Sequence, residues 1–377
     1  MPMHQGFLPR EGFCADVVLK VLRRTALNPA FLLPFLLLAR FTKQGQDLSV
    51  LHPTALKRIR ALFYVAVARV VGGWLSAKTR NNWVTDKYDW TKEIVVVTGG
   101  AAGIGASIVK LFEEQGITVI VLDVQPLTFT PSSKVHYYKC DLRSPENVSA
   151  VADKIRAEVG HPTVVINNAG VARGKSLLEA KPGDIRFTFD VNTLAHYWVA
   201  QAFLPNIVAK NHGMIVTVAS YASWLTIPNM VDYGASKAAA LSFHEGLTAE
   251  LTTRYNAPKV RTVIVHPGHT KTPLFMGYDQ NTAFTMPTQE PESIAEGVVR
   301  QVLSGNSGDV ILPELGATLA GLRMFPDFYT YPLRAKGQSY MANFSGRQVI
   351  ADVDAAVDKE SDGQDGPSES TVLVSGQ

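Results

Sequence analysis

Glu93-Ile-Val-Val-Val-Thr98 is a continuous β-branched run that ends in Gly99-Gly-Ala-Ala-Gly-Ile-Gly105 and passes directly into Ala106-Ser-Ile-Val-Lys-Leu-Phe-Glu-Glu-Gln115. An uninterrupted apolar run of this kind fits a strand buried on both faces of a parallel sheet. In the segment that follows, Ile108, Val109, Leu111 and Phe112 share one face of a helix, and Gly116 is a C-terminal stop. Strand, glycine turn and helix in this order make a βα unit with an anion cradle at its bend. Gly99 permits the tight turn, Gly103 lets backbone approach a pyrophosphate, and Gly105 lets helix and strand pack closely; Ile104, between them, is a cofactor-binding candidate with the three glycines.

A second apolar run, Ile117-Thr-Val-Ile-Val-Leu122, ends in Asp123, where an acidic residue that binds ribose hydroxyls is expected. A carboxylate there repels a 2′-phosphate. Positions 100 to 102 and 124 are Gly, Ala, Ala and Val, so no neighbouring cation offsets the repulsion. NAD is therefore favoured, with NADP as the alternative. Val135–Cys140, Thr163–Ile166, Gly213–Val218, Lys259–Val265 and Asp309–Pro313 read as further strands separated by helix-compatible stretches. The pattern predicts an α/β fold, a Rossmann-type doubly wound parallel sheet whose ligand loops gather at the carboxyl edge.

Tyr233-Gly-Ala-Ser-Lys237 follows Ser220 by a short interval. On a helix, positions i and i+4 share a face, so phenol and ammonium address one small volume. A fixed cation favours the phenolate; lowering a tyrosine pKa of about 10 by roughly three units needs about 4 kcal/mol of differential stabilisation. The spacing thus predicts proton exchange with a substrate oxygen. His244, His266 and His269 lack companions at metal-ligand spacing, so no metal site is expected.

From residue 92 to 312 the chain resembles the short-chain dehydrogenase/reductase family. The resemblance rests on Thr98-Gly99 with Gly103 and Gly105, Asp141-Leu142, Asn167-Asn-Ala-Gly170, Asn192, Ser220, Tyr233 with Lys237, and Pro267-Gly268, all in the family's order. It implies that Tyr233 is the general acid in reduction and base in oxidation, and that Ser220, rather than the nearby Ser223, holds the substrate oxygen. Lys237 would lower the Tyr233 pKa and bind the nicotinamide ribose, and Asn192 would hold a water linking Lys237 to solvent. Asp141 would meet the adenine edge, Asn168 the adenosine side, and Pro267, Thr270 and Thr272 the nicotinamide. Thr270 stands where the family often has Val or Ile; the contacts implied there are mostly backbone. Dimers and tetramers are usual in such proteins. The implied activity is hydride transfer between nicotinamide and an alcohol or ketone carbon. The alternative is a catalytically idle membrane scaffold or cofactor-sensing module, against which the intact Ser220, Tyr233, Lys237 and Asn192 set argues.

Around the catalytic domain, 91–312, the composition changes. The N-terminal region, 1–90, carries two apolar stretches, Ala26–Ala39 and Ala61–Ala77. As helices they reach about 21 and about 26 Å, short of a ~30 Å hydrocarbon core. Basic residues flank both, including Arg23, Arg24, Arg40, Lys43, Lys57, Arg58, Lys78 and Arg80. That distribution predicts a shallow hairpin or interfacial insertion with both ends cytosolic, at an endoplasmic-reticulum or lipid-droplet surface. A cytoplasmic helical extension, packed on the catalytic domain or in a dimer interface, is the alternative. Residues 313–350 are rich in apolar and aromatic side chains, among them Leu319, Leu322, Met324, Phe325, Phe328, Tyr329 and Tyr331, expected to line or cap a substrate pocket. With the N-terminal apolar region, this layout resembles the membrane-associated retinol and 17β-hydroxysteroid branch and implies a lipophilic small-molecule substrate. The alternative is that these aromatics complete the core or an oligomer interface. The acidic, Ser- and Gly-rich segment 351–377 is expected to be disordered. A net charge of +3 without a basic, aromatic-interleaved stripe gives no sign of nucleic-acid binding. The two cysteines, Cys14 and Cys140, lie in unlike segments, so no disulfide framework is expected.

Overall fold

The computed structural model describes residues 3–280 and 282–350. Four helices precede the first strand: α1 (Ala15–Arg24), α2 (Pro29–Phe41), α3 (Lys43–Leu51) and α4 (Pro53–Arg80). Strands and helices then run β1 (Ile94–Thr98), α5 (Gly103–Glu114), β2 (Thr118–Asp123), β3 (Val135–Lys139), α6 (Pro145–Glu158), β4 (Val164–Asn167), α7 (Pro182–Phe189), α8 (Ala195–Lys210), β5 (Met214–Val218), α9 (Val231–Thr253), β6 (Arg261–Pro267), α10 (Pro291–Leu303), β7 (Gly308–Leu312) and α11 (Asp327–Lys336). Each predicted strand is present, within two residues at either end.

The strands lie in the order β3-β2-β1-β4-β5-β6-β7, and every pairing is parallel. From β1 the chain works outward to β3, then crosses back to β4 on the other side of β1. Loops leaving β1 and β4 therefore diverge, and a cleft opens at the carboxyl edge between them.

The period-2 geometry of the strands sorts their side chains into two cores. Val95, Val97, Val119 and Val121 pack with Ile108 and Phe112 of α5 and Val298 of α10. Val96, Ile120, Leu122, Val165 and Ile215 pack on the other face with Ile155, Phe203 and Leu251 from α6, α8 and α9. Burying one such side chain stabilises by about 1.5–3 kcal/mol relative to leaving it exposed. Both cores are thus strong enough to fix the loops at the carboxyl edge. At the β1–α5 bend the approach is closest: a Cβ on Gly105 would stand 2.1 Å from the Gly99 carbonyl oxygen.

The N-terminal helices differ from the sequence estimate in one respect. Helix α4 extends well beyond the Ala61–Ala77 stretch to 28 residues, because Pro53 opens it and Lys57, Arg58 and Arg60 are good helix formers. At ~1.5 Å per residue it is about 42 Å long. By length and composition α4 can cross a membrane, and α1 with α2, bent by 43° at their break, together pass the same test. Helix α1 is fixed at the carboxyl edge, where the Asp16 carboxylate accepts the main-chain N–H groups of Glu314 (2.6 Å) and Leu315 (3.0 Å). The far end of α4 is fixed at the amino edge, through Arg261 to Asn81 O (3.1 Å) and Ser307 N–H to Asn81 Oδ1 (2.9 Å). After β7 come a 3-10 segment (Glu314–Met324), α11 and a strap that ends at Ile350. The segment expected to be disordered, 351–377, lies outside the described residues.

Candidate active site

A cleft of about 570 Å³ runs along the carboxyl edge. Gly99, Gly103, Ile104, Gly105, Asp123, Asp141 and Asn168 line one end; Ser220, Tyr233, Lys237, Pro267, Thr270 and Thr272 line the other. Of the residues proposed from sequence, Asn192 alone sits behind the wall.

At the first end, the Asn168 side chain donates to Thr98 O (3.0 Å) and Gly99 O (3.1 Å), while Thr98 Oγ1 accepts the N–H groups of Asn168 and Ala169. The glycine turn is thereby riveted to the loop after β4. Gly103 has φ +58°, and a Cβ there would point toward Thr272 Cγ2, 3.4 Å away. A cradle that only glycine forms without strain, at the start of a helix, fits a pyrophosphate. Asp123 closes this end; its carboxylate accepts N–H groups from Ala101 (3.0 Å) and Gln125 (3.0 Å). Burial raises its pKa, with those backbone hydrogen bonds and the Arg347 charge opposing. Asp141 is held by Arg143 through both carboxylate oxygens (2.6–3.1 Å).

At the second end, Tyr233 and Lys237 lie on the first turns of α9 and share the cleft wall with Ser220. Lys237 Nζ donates to Val218 O (2.9 Å) and lies 5.9 Å from the Tyr233 ring centre. Ser223 points away: its Oγ donates to Ser220 O (2.6 Å) and meets His266 Nδ1 (3.3 Å), so it braces the loop that carries Ser220. Asn192 sits in a π-helical turn, Asp190–Leu194, and is fully buried. Its Oδ1 accepts the Val171 N–H (2.8 Å), and its Nδ2 donates to Val171 O (2.9 Å) and Ser236 Oγ (3.0 Å). A Cβ on Gly170 would stand 3.5 Å from both Asn192 Oδ1 and Lys237 Nζ. Glycine at 170 thus leaves a small volume open between amide and ammonium.

Burial pushes the Tyr233 phenol up to about 12, against the pull of the Ser220 hydrogen bond, and takes Lys237 down to about 8. Burial disfavours the charged form of each group, the phenolate of Tyr233 and the ammonium of Lys237.

The apolar lining is also redistributed. Leu319 reaches the cleft and Leu322 is buried, but Met324, Phe325, Phe328, Tyr329 and Tyr331 are exposed, Met324 at 89% and Phe328 at 83%. The helical turns of 314–336 present Leu319 and Leu333 inward and rotate those five out. Phe275, Tyr278, Met286 and Tyr340 line the cleft in their place. Tyr221 lines the wall, and its hydroxyl donates to Pro313 O. Sequence reasoning missed Arg143, Gln125 and Arg347. Arg143, two residues after Asp141, was within reach of a local reading; Arg347 arrives from the far end of the chain. Among the described residues, no group of three or more His, Cys, Asp or Glu is placed to hold a metal.

Residues 93–283 match the family model described as short chain dehydrogenase. The chain is 45% identical over 217 residues to dehydrogenase RED2 of Cochliobolus heterostrophus, covering 56% of this chain and 82% of that protein. It is 34% identical over 220 residues to mouse epidermal retinol dehydrogenase 2 (56% and 71% covered). It is 32% identical over 256 residues to estradiol 17-beta-dehydrogenase 11 of Pongo abelii (65% and 83% covered). A solved short-chain dehydrogenase from Streptomyces avermitilis shares the fold, with a TM-score of 0.54 at 20% identity over 63% of this chain and 93% of that one.

Proposed function

The chain belongs to the short-chain dehydrogenase family and is an NAD(P)-dependent oxidoreductase of CH–OH groups; on that premise we propose that it interconverts a lipophilic, retinoid-, steroid- or lipid-like alcohol and its carbonyl form, with Tyr233 as the general acid and base. The observation that carries this reading is the meeting of Ser220, Tyr233 and Lys237 at one end of a cleft whose other end is the glycine cradle and Asp123. A bound nicotinamide supplies or accepts the hydride. The chain's own residues do the rest. Ser220, which shares the cleft wall with the phenol, fixes the substrate oxygen. Tyr233 gives its proton to that oxygen in reduction and takes it back in oxidation. Lys237 stabilises the phenolate left behind, and the volume beside Gly170 lets a water join Lys237 to Asn192.

Asp123 favours NAD, since its carboxylate suits ribose hydroxyls. A lipophilic substrate follows from the walls at the catalytic end, where Leu225, Met230, Phe275 and Met286 leave few polar partners for a polar ligand. Relatives named for retinol and estradiol point to the same substrate class. A membrane or lipid-droplet surface as the working place is supported by α4, by exposed Phe41 and Trp74, and by exposed Phe328 and Tyr331 near the cleft.

The full chain, solubilised in detergent, is assayed with NAD and apolar alcohols, following absorbance of the reduced nicotinamide. Tyr233→Phe removes one oxygen and should lower turnover by at least about a hundredfold while NADH binding persists. Wild-type turnover in that variant would end the proposal.

A further inference from the structure

Helix α1 belongs neither to the sheet nor to the helices that cover it, yet it is fastened to the catalytic end of the cleft. The Ala15 N–H donates to Phe284 O (2.8 Å), and Phe284 directly precedes Thr285 and Met286 of the cleft wall. One residue on, the two Asp16 carboxylate oxygens accept the main-chain N–H groups of Glu314 (2.6 Å) and Leu315 (3.0 Å), and Arg23 pairs with the Glu314 side chain. N–H groups at the start of a helical segment have no partner within it. Asp16 supplies that partner as a charged acceptor, and so fixes the beginning of the 3-10 segment Glu314–Met324.

The segment so fixed grips Tyr221. The Tyr221 hydroxyl donates to Pro313 O, and its ring fills the space that two glycines leave. A Cβ on Gly316 would stand 2.0 Å from the Tyr221 hydroxyl, and one on Gly268 would stand 2.9 Å from its Cε2. Burial, and then the Asp16 charge, push the Tyr221 pKa up, so the hydroxyl remains a donor. Tyr221 begins the single turn Tyr221–Ser223, which Ser220 caps by accepting the Ala222 N–H at its Oγ (3.2 Å). A turn whose first side chain is locked in this way has little freedom to reorient its cap. Misplacing a substrate-positioning group by about 1 Å can cost on the order of a hundredfold in rate. Asp16, Glu314 and Leu315 do not line the cleft, so whatever they contribute to the reaction passes through this turn.

We propose that Asp16 and Tyr221 are positioning residues for the reaction, holding the turn that presents Ser220, so that the helical region before the sheet contributes to turnover. The proposal rests on the reading above that Ser220 fixes the substrate oxygen.

The test is steady-state kinetics of the full chain in detergent with NAD and an accepted apolar alcohol, alongside NADH binding by fluorescence and melting temperature. Asp16→Ala should lower kcat about tenfold, with the alcohol KM and NADH affinity changed less than about twofold. Asp16→Asn keeps one acceptor oxygen and should fall between. Tyr221→Phe keeps the ring between the two glycines and loses only the hydroxyl; it should show the same kcat loss, and it carries the test where Asp16→Ala folds poorly. The decisive readout is coupling, since residues that act as a unit do not add. In a Ser220→Ala background, either substitution should change kcat less than about twofold. Wild-type kcat in well-folded Asp16→Ala and Tyr221→Phe would overturn the proposal. So would a loss that persists undiminished without the Ser220 hydroxyl, or one that falls equally on NADH affinity. Wild-type turnover in Ser220→Ala removes the reading of Ser220 itself, and the positioning role with it; a costly Ser220→Ala beside neutral Asp16 and Tyr221 variants removes the positioning role alone.

Discussion

Replacing Gly170 by alanine tests the catalytic end without touching any residue that meets substrate. The new Cβ would lie 3.5 Å from Asn192 Oδ1, 3.5 Å from Lys237 Nζ and 3.9 Å from Asn168 O. These are ordinary van der Waals distances, and Gly170 is not among the glycines with positive φ, so the backbone accepts the change. Folding should be unharmed, or favoured by about 0.4–1 kcal/mol through the unfolded chain. The methyl occupies the volume in which a water can join ammonium and amide. A hydrogen bond to a charged group is worth about 1.5–3 kcal/mol, which corresponds to roughly tenfold to a hundredfold in rate. Lys237, already taken down to about 8 by burial, would lose solvation and be lowered further. Loss of its proton withdraws the charge that stabilises the phenolate, so the alkaline fall in ketone reduction should move to lower pH. The assay is kcat and kcat/KM across pH for wild type and Gly170→Ala, with NADH affinity and melting temperature as controls. An unchanged kcat in a well-folded variant would refute the water path.

Two further outcomes follow from buried groups. His196, fully enclosed against Phe243 with both ring nitrogens unpartnered, is lowered to about 3 by burial, and His244 and His266 to about 4. Below pH ~6.5 the unfolded chain protonates these rings while the folded chain does not, so stability present above that pH is lost as pH falls; for His196 the loss is about 2 kcal/mol at pH ~5. His196→Phe should therefore narrow the difference in denaturant stability between neutral and mildly acid pH, and an identical acid sensitivity would contradict it. Ser220→Ala should lower kcat by about a hundredfold or more, because it removes the hydroxyl proposed to hold the substrate oxygen beside Tyr233. Ser223→Ala removes only the brace on that loop and should cost less than about tenfold; steady-state kinetics on both variants decide whether the two serines differ in this order.

What was legible in the sequence is what local pattern fixes. β-branched runs such as Ile94–Thr98 and Thr118–Asp123 can be satisfied only with both faces covered, and glycines at 99, 103 and 105 admit one kind of bend. Tyr233 and Lys237 share a face because α9 is regular there. The ends of α4 were less legible, since the helix runs on through charged residues that hydropathy discounts but helix propensity favours. Side-chain direction after β7 was not legible at all: Leu319 and Met324 are both apolar, and only the packing of the 3-10 segment against the cleft turns one inward and leaves the other exposed.

The larger gap concerns charge, because a site's electrostatics depend on burial and on residues distant along the chain. Helical spacing puts Lys237 on the same face as Tyr233; it does not show that the enclosing walls push the phenol up to about 12 and take the ammonium down to about 8. The ribose end behaves alike. Asp123 among Gly, Ala and Val reads as a carboxylate facing the cofactor alone, yet Arg347 lies beside it, joined through Gln125 and fixed by the strap's bonds to Pro273 and Ala172. No window around position 123 contains that arginine. Both ends show the same division: the local motif sets which chemistry a position can perform, and tertiary packing sets the charge around it.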